Sequence, residues 1–187
     1  MFMRRSLLIG LVVFSLAALL VVGGTMAFFT DNEKVENTLT AGTVEVEINE
    51  HGFKDITNWQ PGGTENKDVS VKSTGSKGTY VRVCLVPQWL NEAGTDVDTN
   101  LSVGNVILNL ASNWGNNWVY ADGWYYYKQK LDKNGETSLL LDSVTLDSST
   151  TGEEYSGRTL RIKVIAEGVQ ASHDAYKRVW GIDDLPW

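Results

Sequence analysis

One cysteine, three prolines and two histidines in 187 residues set the first limits on this chain. A lone Cys84 cannot close a disulfide within the chain, so stability must come from packing or assembly. Cys84 lies in the strand-like run TYVRVCLV and reads as a small buried core residue rather than a nucleophile. The two imidazoles, His51 and His173, are far apart in sequence. Neither begins the His-Glu-x-x-His pattern that places two zinc ligands and a base on one helix face. They read as surface histidines near element ends. No Gly-x-Ser-x-Gly elbow occurs either, so no motif supports a Ser-His-Asp site.

Positive charge is also short. There are 16 Lys and Arg against 23 Asp and Glu, a formal net charge of −7. Arg4 and Arg5 precede a long hydrophobic run and every acid follows it, so the chain beyond that run is more acidic still. This balance argues against nucleic acid and anionic membranes as partners. Proline is scarce, whereas 18 glycines, 7 tryptophans and 7 tyrosines are present. Many glycines and aromatics with few helix formers point to an all-β class.

The N-terminus has the three parts of a secretory signal. Arg4 and Arg5 form a basic start, Leu7 to Val22 is apolar, and Thr25 and Ala27 are the small residues of a cleavage site before Phe28. No charge occurs from Ser6 to Thr30, so a retained membrane anchor is the competing reading. Gly23 and Gly24 weaken a helix just where a peptidase needs extended chain, which favours cleavage. Either way the rest of the chain lies outside the cell, because the arginines stay inside. The expected division is a signal at 1–27, an N-terminal arm at 28–43 and one β domain at 44–187.

Beyond the arm, TVEVEIN alternates, with Val44, Val46 and Ile48 on one face and Glu45 and Glu47 on the other. Val69 and Val71 mark the next strand, and Tyr80 to Val86 a third that is covered on both faces. Val106, Leu108 and Leu110 share one face of a fourth. NNWVYADGWYYYKQKL reads as a hairpin turning at Asp122-Gly123, and a second turn is expected at Asn134-Gly135. LLLDSVTLD and TLRIKVIAEGVQ are further strands, the latter burying Leu160, Ile162, Val164 and Ala166. A short helix is expected from about Ser172, as N-cap, to Trp180, ended by Gly181. About eight strands and a late helix make a jelly-roll-like β-sandwich.

Three features invite ligands. Asp96, Asp98 and Asn100 alternate as in a calcium loop, but Leu101 and Ile107 stand where an EF-hand needs Gly and Glu. A casual calcium site in that loop stays open; no other cofactor is indicated. Asn100-Leu101-Ser102 also matches a glycosylation sequon. The hairpin is dense in aromatics, and Trp118, Trp124 and Tyr126 are the candidates for an exposed contact or sugar-binding surface. Alternation puts about half of the cluster inward, as core.

Several stretches resemble the TasA/camelysin family of secreted bacterial proteins. They are GGTMAFFTDNEKVENTLTAGTVEVEIN, WQPGGTENKDVSVKSTGSKGTYVRVCL, DGWYYYKQKLDKNGETSLLLDSVTL and VIAEGVQASHDAYKRVWG. The resemblance implies a jelly-roll sandwich exported to the extracellular matrix or cell surface, with its signal cut by a dedicated peptidase of SipW type. It further implies a subunit of biofilm matrix fibres, in which the mature N-terminal segment becomes a strand in the next copy. The partners implied are other copies of the chain, that peptidase and an accessory matrix protein. Phe29, Val35 and Leu39 are the expected anchors of a donated strand. The alternative is that the arm packs on its own domain as a first strand. Camelysin-type members have been described as surface metalloproteases, and no zinc motif here carries that activity over. A metalloprotease and a carbohydrate or surface-binding adhesin are the competing functions.

Overall fold

The computed structural model describes residues 30–34, 44–51, 55–57 and 59–187. Among these residues, ten strands form two antiparallel sheets. They are β1 (Thr30–Lys34), β2 (Val46–His51), β3 (Ile56–Thr57), β4 (Thr64–Ser73), β5 (Thr79–Trp89), β6 (Val106–Leu110), β7 (Trp118–Ala121), β8 (Trp124–Tyr127), β9 (Leu141–Leu146) and β10 (Thr159–Gln170). One sheet runs β1-β10-β5-β8-β7, with β3 also on β10. The other runs β2-β4-β9-β6. Apart from the β7–β8 hairpin, every pair of consecutive strands lies in opposite sheets. The chain therefore wraps around its core as jelly rolls do, and the expected all-β sandwich is present.

The alternation in the sequence decides which side chains enter the core. Val44 and Val46 of the first alternating run are 2% and 4% exposed, while Glu47 is exposed. Val69 and Val71 from β4 meet Val81 and Val83 from β5, all of them fully buried. Leu160, Ile162, Val164 and Ala166 complete the layer from β10. Two tryptophans enter this core with their N–H groups satisfied, as burial requires. Trp89 Nε1 donates to Asn105 Oδ1 at 3.2 Å, and Trp118 Nε1 to the Ser138 carbonyl at 3.3 Å.

The turns follow their residues. Asp122 and Gly123 both take positive φ, 49° and 84°, which suits the tight primed turn of a two-residue hairpin. Asn134, in the second expected turn, has φ 63°.

The C-terminal helix differs from expectation. It spans only Ala175–Val179, here α2, after a short α1 at Trp114–Asn117. Ser172 is not its N-cap. His173 and Asp174 both take positive φ, 56° and 50°, which breaks the helix before Ala175. Asp174 occupies the cap position with no side-chain cap bond, and Ser172 Oγ instead accepts from Gln170 Nε2 at 2.6 Å. Gly181 does follow the helix with φ 69°.

Cys84 is also placed differently. It is half-buried, not core, because Val81 and Val83 take the inward face of β5 and Cys84 alternates outward with Tyr80 and Arg82. Burial pushes its thiol pKa up, the Glu167 carboxylate adds to this, and Arg82 opposes it.

Candidate functional site

β10 is the spine of its sheet. One edge pairs with β5 from Leu160↔Trp89 to Gln170↔Thr79. The other edge carries two short strands. β3 pairs at Thr159 and Leu160, and β1 pairs at Ile165 to Val169, in the register Lys34↔Ile165 to Thr30↔Val169. The arm at 28–43 shows no internal partner in its sequence pattern. The structure supplies one for Thr30–Lys34: the open edge of β10, where a strand satisfies amides and carbonyls otherwise left to solvent.

Gly168, in the stretch of β10 that pairs with the arm, is closely packed on its inward side. It lies opposite Asp31 and packs closely against Val44 and Val46 of the other side of the sandwich. A Cβ there would stand 2.8 Å from Val46 Cγ1, 3.1 Å from Thr79 Cγ2 and 3.2 Å from Val44 Cγ1. Only glycine lets β2 and β10 approach so closely.

The outward face of β10 beside the arm is held by a charged and aromatic cluster. Glu167, opposite Asn32, accepts from Arg82 Nε at 2.9 Å and lies 2.7 Å from its Nη2. The Arg82 guanidinium lies 4.2 Å from the Trp124 ring centre and 4.9 Å from that of Trp180. Trp180 in turn packs edge-on against Tyr126 at 5.7 Å. The C-terminal segment thus roofs this face, with Ala175, Val179 and Leu185 in the same cluster.

This roof overturns the aromatic contact surface expected of the hairpin. Tyr126 is 2% exposed because the C-terminal segment covers it, and Trp124 is half-buried beside Arg82. Trp118 is 1% exposed because it points into the sandwich, its ring tilted against that of Tyr127 with centroids 5.0 Å apart. The hairpin aromatic that is exposed is Tyr120, at 55%. The short C-terminal helix expected from the sequence provides the cover, but its docking on the hairpin is a long-range contact that the hairpin sequence does not signal.

Other expected sites fall as follows. Asp98 Oδ1 accepts from both the backbone amide and the side-chain amide of Asn100 at 3.0 Å, and its Oδ2 lies 3.5 Å from Arg158 Nη1. Asp96 Oδ2 accepts from Thr95 Oγ1 at 2.9 Å. These groups shape their own loop. His51 ends β2 opposite Asp68, and His173 is exposed in the turn before α2. The cleavage residues Thr25, Ala27 and Phe28 and the strand anchors Phe29, Val35 and Leu39 lie outside the described residues. Among the described residues, no helix is long and apolar enough to cross a membrane.

A family model described as camelysin metallo-endopeptidase matches residues 2–117. The chain belongs to the camelysin family. The match begins in the signal-like run and takes in β1 to β6 and α1, so it includes the arm and the first strand of the domain. TasA belongs to this camelysin family, and membership supports a secreted protein. No curated protein matches the chain. The family description names a metal-dependent activity. Among the described residues, no group of three or more His, Cys, Asp or Glu side chains is placed to hold a metal ion.

Proposed function

We propose that this chain is a secreted structural subunit that polymerises head to tail into extracellular matrix fibres. In this reading a peptidase of SipW type cuts between Ala27 and Phe28. The freed arm then adds as a strand to the sheet of the next copy. Thr30–Lys34 pairs with Ile165–Val169 of its own chain, the packing that the sequence left as the alternative, and the observation that supports the reading is that this edge accepts the segment in a defined register. The segment that follows the export signal is itself a strand, and it sits on a sheet edge through a main-chain ladder of five residues. A second copy offers the same edge and the same register. Exchange between copies conserves the ladder, and head-to-tail exchange does not close, so it propagates.

The signal-like N-terminus and camelysin-family membership support export. Tethering before cleavage keeps the arm at the membrane, so cleavage licenses assembly. Electron microscopy of chains beginning at Phe28, beside chains beginning at Gly42, tests the reading. Fibres from the first and none from the second are expected. Equal behaviour of the two would sink the exchanged strand.

The family description favours a second reading, a surface metallo-endopeptidase. Casein cleavage that a chelator stops, and that His51→Ala or His173→Ala abolishes, would place this chain with that activity. In the structural reading the chain is not an enzyme, and neither histidine affects assembly.

A further inference from the structure

A cleft of about 370 Å³ opens at the end of the sandwich where β4 and β10 begin. It is remote in register from the arm, which pairs with the far half of β10. Two loops form it, Trp59–Pro61 before β4 and Thr151–Gly157 before β10. The volume falls within the roughly 300–1,000 Å³ of small-molecule clefts.

Both walls are fixed in advance. The Tyr155 ring packs at a tilt against buried Trp89, with centroids 5.0 Å apart, and its hydroxyl donates to the Ser102 carbonyl at 3.1 Å. The Trp59 loop is tied to the end of β9, with Gly62 N donating to the Leu146 carbonyl at 2.8 Å and Leu146 N donating to that of Gly63 at 3.1 Å. The pyrrole edge of Trp59 abuts Gly63, where a Cβ would come 2.7 Å from Nε1. Thr151 Oγ1 donates to the Asp147 carbonyl at 2.6 Å and accepts from buried Asn105 at 3.1 Å. A site whose aromatic walls are locked by packing and hydrogen bonds binds without first ordering itself.

From this cleft we infer that the domain binds a neutral oligosaccharide between Trp59 and Tyr155. Two partly exposed aromatic rings and Pro61 offer an apolar surface to the C–H face of a sugar ring. Gln60, Ser156 and Glu153, all exposed at the rim, offer donors and acceptors to its hydroxyls. The lining contains no Lys or Arg, so nothing in it recruits an anionic sugar or a phosphate. The contact surface thus moves from the hairpin to these two loops.

Calorimetric titration of the mature chain with maltohexaose, cellohexaose and chitohexaose tests this. At least one is expected to bind with a dissociation constant below about 1 mM. Trp59→Ala should abolish that binding. Because Trp59 also packs on the core, the paired change Gln60→Ala with Ser156→Ala serves as the second variant. It should weaken binding about tenfold without altering the near-ultraviolet dichroism. Tyr120→Ala, on the hairpin, should leave binding unchanged. Hexalysine is the competing probe, since Glu153 beside two aromatics also suits an ammonium. No binding of any of the three sugars, binding insensitive to the paired change, or a cleft that takes hexalysine alone would overturn the inference.

Discussion

The Arg82 guanidinium lies 2.7 Å from the Glu167 carboxylate and over the Trp124 ring at 4.2 Å. This joins β5, β8, β10 and, through Trp180, the C-terminal segment. Both partners of the ion pair are largely buried, with side chains 12% and 18% exposed. Removing the cation leaves a carboxylate without its partner in a poorly hydrated site. Arg82→Met is therefore expected to cost about 3 kcal/mol in urea unfolding. A loss below about 1 kcal/mol would mean that the pair is effectively solvated.

Gly168 is a close approach between β10 and β2. Gly168→Ala puts a methyl group 2.8 Å from Val46 Cγ1 and is expected to cost about 1–3 kcal/mol. Gly168→Val should cost more. Thermal unfolding of both variants measures this, and an unchanged midpoint for Gly168→Val would show that β2 yields freely.

Trp118 and Tyr120 lie in the same strand, yet they should behave oppositely. Trp118→Ala empties a core site that is 1% exposed, and about 3–5 kcal/mol is expected to be lost. Tyr120→Ala, at a residue 55% exposed, should change stability by less than about 0.5 kcal/mol. Denaturant midpoints compare them directly. A large effect at Tyr120 alone would reverse the assignment of the hairpin faces.

Asp147 and Cys84 each carry a pH signature. The hydroxyl and amide of Ser149 hold Asp147 below the usual carboxylate range, at 2.7 and 2.8 Å. A depressed carboxylate stabilises the fold above its unfolded value, near 3.9, and that contribution is lost as pH falls through the folded value. Protection of the Ser149 amide, taken relative to its intrinsic exchange rate at each pH, should therefore be lost only at acid pH, and in Asp147→Asn it should be reduced already at neutral pH. Cys84 shifts the other way, held protonated by burial and Glu167. Its alkylation at pH 8 should be slower than that of a free thiol, and slower again in Arg82→Met, which removes the opposing cation. Faster alkylation in that variant would point to opening of the cover.

Much of the sandwich was legible because one face of each strand is apolar. Val44 and Val46, Val69 and Val71, and Leu160, Ile162, Val164 and Ala166 all enter the core as their alternation predicts. What escaped is long-range. β3 has two residues, too few for any period. β1 has the sequence TDNEK, with no apolar alternation, because an edge ladder is made by backbone groups that every residue carries. The C-terminal helix was expected, but its packing over Trp124 and Tyr126 was hidden because that contact joins segments some fifty residues apart. The Trp59–Tyr155 cleft joins residues nearly a hundred positions apart, and no spacing rule pairs them. Its one local signal was the Trp-Gln-Pro-Gly-Gly turn.

The exchanged strand is tested most directly by a cross-link in the β1–β10 register. Lys34 and Ile165 are partners in the ladder, so their Cα atoms stand at the roughly 5 Å that a disulfide accepts. Chains carrying Lys34→Cys and chains carrying Ile165→Cys, both with Cys84→Ser, are mixed, assembled and oxidised. Strand donation predicts a disulfide-linked dimer of the two variants once fibres form, and none before. Fibres that form without any such dimer would contradict it, and so would a Lys34→Cys, Ile165→Cys double variant that stays cross-linked within one chain and still polymerises.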